Sequence, residues 1–283
     1  MRLSAETLRG WYDEREAVQT VARSVGSALE TLPATVRFFA RYAGWNGVFG
    51  SAVAGLASKI GRSRSLFHED GFPRPLSDRS VLLASWFFDA ARDEFDDGAT
   101  EYRDTHRCLA QATLAGIIEH AVEHGHRELS ERERLERWLE EPPWLEALRL
   151  RVAAGYGHGS PDDRPAIFEA IGFHLASEML ADREFSTIDA ELRARHPALV
   201  ASLEARSVTL AGQAHPCYQW IRIHSGHGGA VEADHLAWGQ RGVEAAFRYS
   251  PPSEHDELRA RVRAGYLKFA DDHREFFARV AEP

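Results

Sequence analysis

The feature that most constrains this chain is the helical period of its apolar residues, which runs almost from end to end. Leu109, Thr113 and Ile117 step at i, i+4 and i+8, and Val243 and Phe247 keep the same spacing. Prolines and glycines read as breaks between the periodic segments. The pattern predicts helices over 4–30, 33–62, 77–95, 101–124, 130–140, 143–154, 163–193, 197–210, 216–249 and 254–279. Start signals support several of them. Ser77 and Asp78 precede Val81, Ser130 stands three residues before Glu133 as in a capping box, and Asp163 precedes Arg164-Pro165. No alternating segment predicts a sheet, so the fold class expected is all-α.

Bulk properties exclude several functions. A chain of 283 residues with 44% apolar content can bury a real core. Its net charge of −9 argues against a broad basic track for nucleic acid. The best apolar run, Val81 to Phe88, falls far short of the roughly 18 residues that cross a bilayer, and Met1 to Arg15 has no apolar signal core. A cytoplasmic location, with neither membrane nor nucleic-acid partner, is the expectation. Two cysteines, Cys108 and Cys217, exclude a disulfide framework or a Cys-rich zinc site. The loop over 155–162 is glycine-rich but lacks the Lys-Ser/Thr of a phosphate loop.

Polar residues inside apolar stripes carry the functional signal, because burying an unpaired charge is costly. Glu94 continues the stripe of Leu83, Phe87, Ala90 and Ala91. His106 shares a face with Leu109 and Thr113, and His174 and Glu178 share one with Ile167 and Ile171. On the segment from 216, His224, Val231, His235 and Trp238 line up, with Glu232 one step round. Four helices thus send acid or imidazole groups inward, as in a carboxylate-bridged dimetal site within a helical core. Oxygen and imidazole donors without thiolate suit iron or manganese.

These residues resemble a family. Asp93-Glu94-Phe95-Asp96-Asp97-Gly98 followed by His106-Arg107-Cys108-Leu109, then Ile171 to Glu178, then 224–235, is similar in order and type to the ligand segments of haem-oxygenase-like diiron oxidases and oxygenases. The resemblance covers roughly 80–250. It implies a single haem-oxygenase-like domain over 1–283, a bundle of about seven core helices, two Fe(II) ions and O2 as co-substrate. It nominates Glu94, His106, Glu178, Glu232 and His235 as metal ligands. The family's last helix usually reads His-x-x-x-Asp/Glu-x-x-His, which would put the first histidine at Gly228. His227 becomes the sixth ligand if Gly228-Gly229 hosts a one-residue π-bulge. On one continuous helix, His224 would sit roughly 16 Å from His235, too far to share the site.

The activity implied is oxidation of a small amine or amino acid by desaturation, cyclisation or N-oxygenation in natural-product biosynthesis. The stretch Glu178 to Phe185 also resembles branches that form azetidines from branched aliphatic amino acids. His174, one turn before Glu178, is the expected catalytic or supporting residue. Phe87, Trp86, Leu109, Trp238 and Phe173 are the expected apolar wall, and Arg92, Arg222 and Arg241 the candidates for a substrate carboxylate. A homodimer and an external reductase belong to the same expectation. The alternatives are a metal-free thiaminase-like or cofactor-maturation enzyme, a plain helical interaction protein, and a ferritin-like diiron protein. The last would use the second ExxH, Glu123-His124-Gly125-His126, in a run that reads as an exposed helix end.

Overall fold

The computed structural model describes residues 3–96, 101, 103–225 and 231–282, and the backbone alone of 14, 182 and 231–234. Helices follow one another: α1 (Ala5–Arg9), α2 (Glu14–Ala28), α3 (Leu32–Asn46), α4 (Phe49–Arg62), α5 (Arg74–Ser77), α6 (Ser80–Phe95), α7 (His106–Glu123), α8 (Arg132–Trp138), α9 (Pro143–Gly155), α10 (Arg164–Arg195), α11 (Pro197–Glu204), α12 (Gln219–His224), α13 (Val231–Arg248) and α14 (His255–Arg279). The chain is an all-α bundle, as the apolar period implies. No helix among the described residues is long and apolar enough to cross a membrane.

Local chemistry sets many of the starts. Asp13 accepts from the Arg15 and Glu16 amides at 3.0 and 3.1 Å, Thr105 from Cys108 at 3.0 Å, and Asp163 from Ala166 at 2.9 Å. Each oxygen satisfies amides that the first turn leaves without an intrahelical partner. The Asp13 cap explains why the helix expected over 4–30 is two helices. The helix expected over 33–62 divides at Gly47-Val48, and the one expected over 101–124 begins only at His106, behind its Thr105 cap. The capping box expected at Ser130 does not form, because that hydroxyl donates to the Arg127 carbonyl at 2.7 Å.

Two differences are larger. Residues 207–210, expected to be helical, form a strand. Ser207–Leu210 (β1) pairs antiparallel with Gln213–Pro216 (β2). Ala211 and Gly212 between them sit at φ 52° and 81°, the left-handed backbone whose twist suits a two-residue hairpin. The helix expected over 216–249 is also interrupted. α12 ends at His224, where the Ser225 amide bonds back to Ile221.

Helix α10 is the axis of the bundle, touching α14, α13, α2 and α12. Its approach to α14 is set by two glycines in mid-helix, not at breaks as the sequence reading held. A Cβ on Gly172 would lie 1.9 Å from the Val262 carbonyl oxygen, and one on Gly265 would lie 1.8 Å from that of Glu169. Only backbone meets backbone there, so neither helix can yield by a rotamer change. Gly172→Ala is expected to destabilise the fold by about 1–3 kcal/mol or more, as overpacking does. Gly55→Ala, in α4 with nothing within 4 Å, is expected to raise stability by about 0.5–1 kcal/mol. Thermal melts of the two variants check both signs.

Candidate functional site

The inward-facing residues of the stripes meet. Glu94 stands near the end of α6, His106 opens α7, His174 and Glu178 lie on α10, and His235 lies on α13. His106 Nδ1 lies 3.2 Å from Glu94 Oε2. His235 Nδ1 lies 3.2 Å from Glu178 Oε2, and its Nε2 lies 3.3 Å from Asp93 Oδ2. A neutral imidazole can donate to one of these carboxylates; an imidazolium donates to both. His174 Nδ1 faces the other Glu178 oxygen, Oε1, at 3.2 Å. Glu178 thus takes an imidazole on each of its oxygens.

Sequence reasoning missed three participants. Asp93 is one; it lies beside Glu94 in a run of acids, where only the fold shows that both neighbours are engaged. His224 is another. It was set aside on the geometry of a continuous helix, but α12 stops at His224, and its ring lies 4.6 Å from that of His106. Its Nδ1 donates to the Trp220 carbonyl at 2.7 Å, and its ring stacks on Phe185 at 4.3 Å. The third is Arg107. His227 lies outside the described residues, as do the Glu232 side chain and the bulge expected at Gly228-Gly229.

Beside this cluster is a cavity of about 200 Å³. Its polar lining includes Glu94, His106, Glu178, Glu184 and His224; Trp45, Phe49, Phe185, Trp220 and Phe269 are among its aromatic walls. The wall expected from the sequence lies elsewhere. Phe87 packs on the His174 ring at 5.5 Å and Trp238 on His235 at 5.4 Å, while Phe173 packs on Phe269 at 5.1 Å; they support the polar residues from behind. None of the three expected arginines lines the cavity. Arg222 donates to Gln219, Arg241 lies over Trp86, and Arg92 is near Asp89 and Asp93. Arg107 does line it, with Nη1 fixed on the Ala43 carbonyl at 2.5 Å. Glu184, on the same lining, accepts from Tyr42 and from His273, each at 2.8 Å.

Burial governs the protonation of two imidazoles. His174 is held below its ordinary value chiefly by loss of water, against the opposing pull of Glu178. His224 is held well below it by burial first and then by His106. Neither cysteine lines the cavity, and burial pushes the Cys217 thiol up to about 11. A thiolate nucleophile therefore has no place here. Among the described residues, these donors form one pair, Glu94 with His106, and one chain, His174–Glu178–His235–Asp93. The one group of three whose ligand atoms all lie within 4.8 Å of one another is His120, Glu123 and His124, at the far end of α7.

No family model matches the chain, and no curated protein matches it. Among solved structures it is similar to the crystal structure of a TenA homolog from Pseudomonas syringae pv. tomato str. DC3000, with 13% identity, a TM-score of 0.46, and coverage of 100% of this chain and 99% of that one. The expectation of a diiron O2-activating oxidase is corrected. No family model and no curated protein supports that reading, and what the chain shares with the solved structure is similarity alone. The oxidative outcomes expected with it, azetidine formation included, fall away too. No activity or ligand is taken from that protein.

The buried imidazoles make stability depend on pH. Between their lowered folded values and the ordinary value of 6.5, the unfolded chain binds protons that the folded chain excludes. Their contribution is complete above pH 6.5 and is lost as pH falls below it toward the folded values. Melting temperature is expected to drop between pH 7 and pH 5, and to drop less in His224→Gln. A profile that is the same in both proteins would refute the assignment.

Proposed function

We propose that the chain is an enzyme performing general acid–base chemistry on a small amine or amino acid held in the aromatic cavity. One observation carries this reading: an imidazole–carboxylate pair, His106 with Glu94, lines a partly open aromatic cavity with no thiol on its lining. The Glu94 carboxylate orients the His106 ring and stabilises the imidazolium that forms when the ring takes a proton. Glu178, held by His174 and His235, supplies a second carboxylate on the lining. Arg107 is placed to hold a substrate carboxylate, and the acidic lining favours an ammonium group. The aromatic walls exclude water, which strengthens each of these interactions. Like the metal-free thiaminase-like or cofactor-maturation alternative of the sequence reading, it needs no metal.

A second reading rests on donor chemistry. Carboxylate oxygen and neutral imidazole are the donors that take iron or manganese. Glu94, His106, Glu178 and His235 would hold such a cation, and it would supply Lewis acidity when bound.

Screening amines and amino acids by thermal shift and product mass spectrometry tests the first reading. With a turned-over substrate in hand, His106→Ala and Glu94→Gln are each expected to lower turnover by about 10²–10⁴-fold with the helical circular dichroism unchanged. Wild-type protein stripped with chelator is expected to keep its activity. Loss on stripping, restored by Fe(II) or Mn(II), would replace the first reading with the second.

A further inference from the structure

The C-terminal turn of α7 holds a cluster that the cavity does not use. His120 lies 14 residues beyond His106, roughly 21 Å along the helix, so this end is separate from the site above. We propose that His120, Glu123 and His124 form a divalent-cation site of the zinc type. Histidines at i and i+4 share one helix face, the spacing by which helices present two imidazoles to one ion, and Glu123 falls beside them. One ligand atom from each of the three lies within 4.8 Å of the others. The two rings stack at 4.0 Å, which fixes their mutual orientation. The Nδ1 of His124 donates to the His120 carbonyl at 2.8 Å, so Nε2 keeps the lone pair.

A second observation points to a ligand. His120 is only 4% exposed, and its Nδ1 has no hydrogen-bond partner. Its neighbours on the helix leave a buried polar side chain incompletely satisfied, which a cation bound to the ring would offset. The position favours positive charge as well, because the last carbonyls of an 18-residue helix end here. Three protein donors leave one place for water in a four-coordinate ion.

Arg206 sets the competition. Its Nη2 donates to both Glu123 oxygens, at 2.8 and 2.9 Å, and its Nη1 to Glu119 at 3.0 Å. A cation taking Glu123 displaces one arm of this fork and leaves the guanidinium on Glu119. Arg206 immediately precedes β1, so occupancy of the site changes what holds the hairpin against α7.

Zn(II) titration of the full-length chain by calorimetry, with equilibrium dialysis for stoichiometry, tests this. His124 and Glu123 are exposed, so His124→Ala and Glu123→Gln remove donors without touching the core. Each is expected to remove one bound zinc or weaken it at least tenfold. Arg206→Ala is expected to tighten that zinc, because it deletes the competitor for Glu123. His235→Ala, in the cavity cluster, is expected to leave it unchanged, which separates this site from any binding in the cavity. Equal stoichiometry and affinity in wild type and His124→Ala would overturn the proposal, as would weaker binding in a folded Arg206→Ala.

Discussion

The contact on which the rest of this structure depends is the backbone-to-backbone crossing of α10 and α14. Gly172 and Gly265 let the two helices approach until a carbonyl of each occupies the space a methyl group would need. That closeness holds α10 in the middle of the bundle. It also fixes the rotation of α10 about its own axis, since only the glycine face can lie against α14. His174 follows two residues after Gly172, and Ser177, Glu178 and Glu184 follow within the next turns. The side chains that build the polar centre are therefore aimed by a contact that contains no functional group.

The electrostatics of the centre follow from burial and pairing together. An isolated carboxylate or imidazolium in such a place would cost several kcal/mol of lost hydration. Here Glu94 is met by His106, and Glu178 by His174 and His235. Where an imidazole has a backbone carbonyl for a partner instead, as His224 has at Trp220, burial keeps it neutral. Asp104 and His215 repeat the pairing at 2.8 Å, where the hairpin meets the approach to α7. Carboxylate–imidazole pairing is thus a structural habit of this chain as well as the material of its site. What sets the Glu94–His106 pair apart is that it lines the aromatic cavity.

The ends of α7 show how one residue chemistry serves two surroundings. At its start, His106 is buried beside a carboxylate and a second imidazole, under aromatic cover. At its close, His120 is buried while Glu123 and His124 stand in solvent, with an arginine as competitor. The first arrangement suits chemistry that excludes water. The second suits exchange with an ion from solution.

By itself the sequence determined the all-α class, most helix starts and the inward direction of Glu94, His106, His174, Glu178 and His235. These follow from local rules: the helical period assigns faces, and capping oxygens mark where amides need partners. It could not reveal where long periodic stretches break, because the period continues through the interruption after His224. That error placed His224 too far from His235, when its ring stands against His106. Nor could local rules show that Gly172 and Gly265 are packing contacts, or that residues 207–216 form a hairpin, since both depend on partners distant in the chain. The same limit applied to the chemistry. Inward acids and imidazoles read as a set of ligands, but which of them come within reach of one another depends on distances between four helices, and only the tertiary structure sets those.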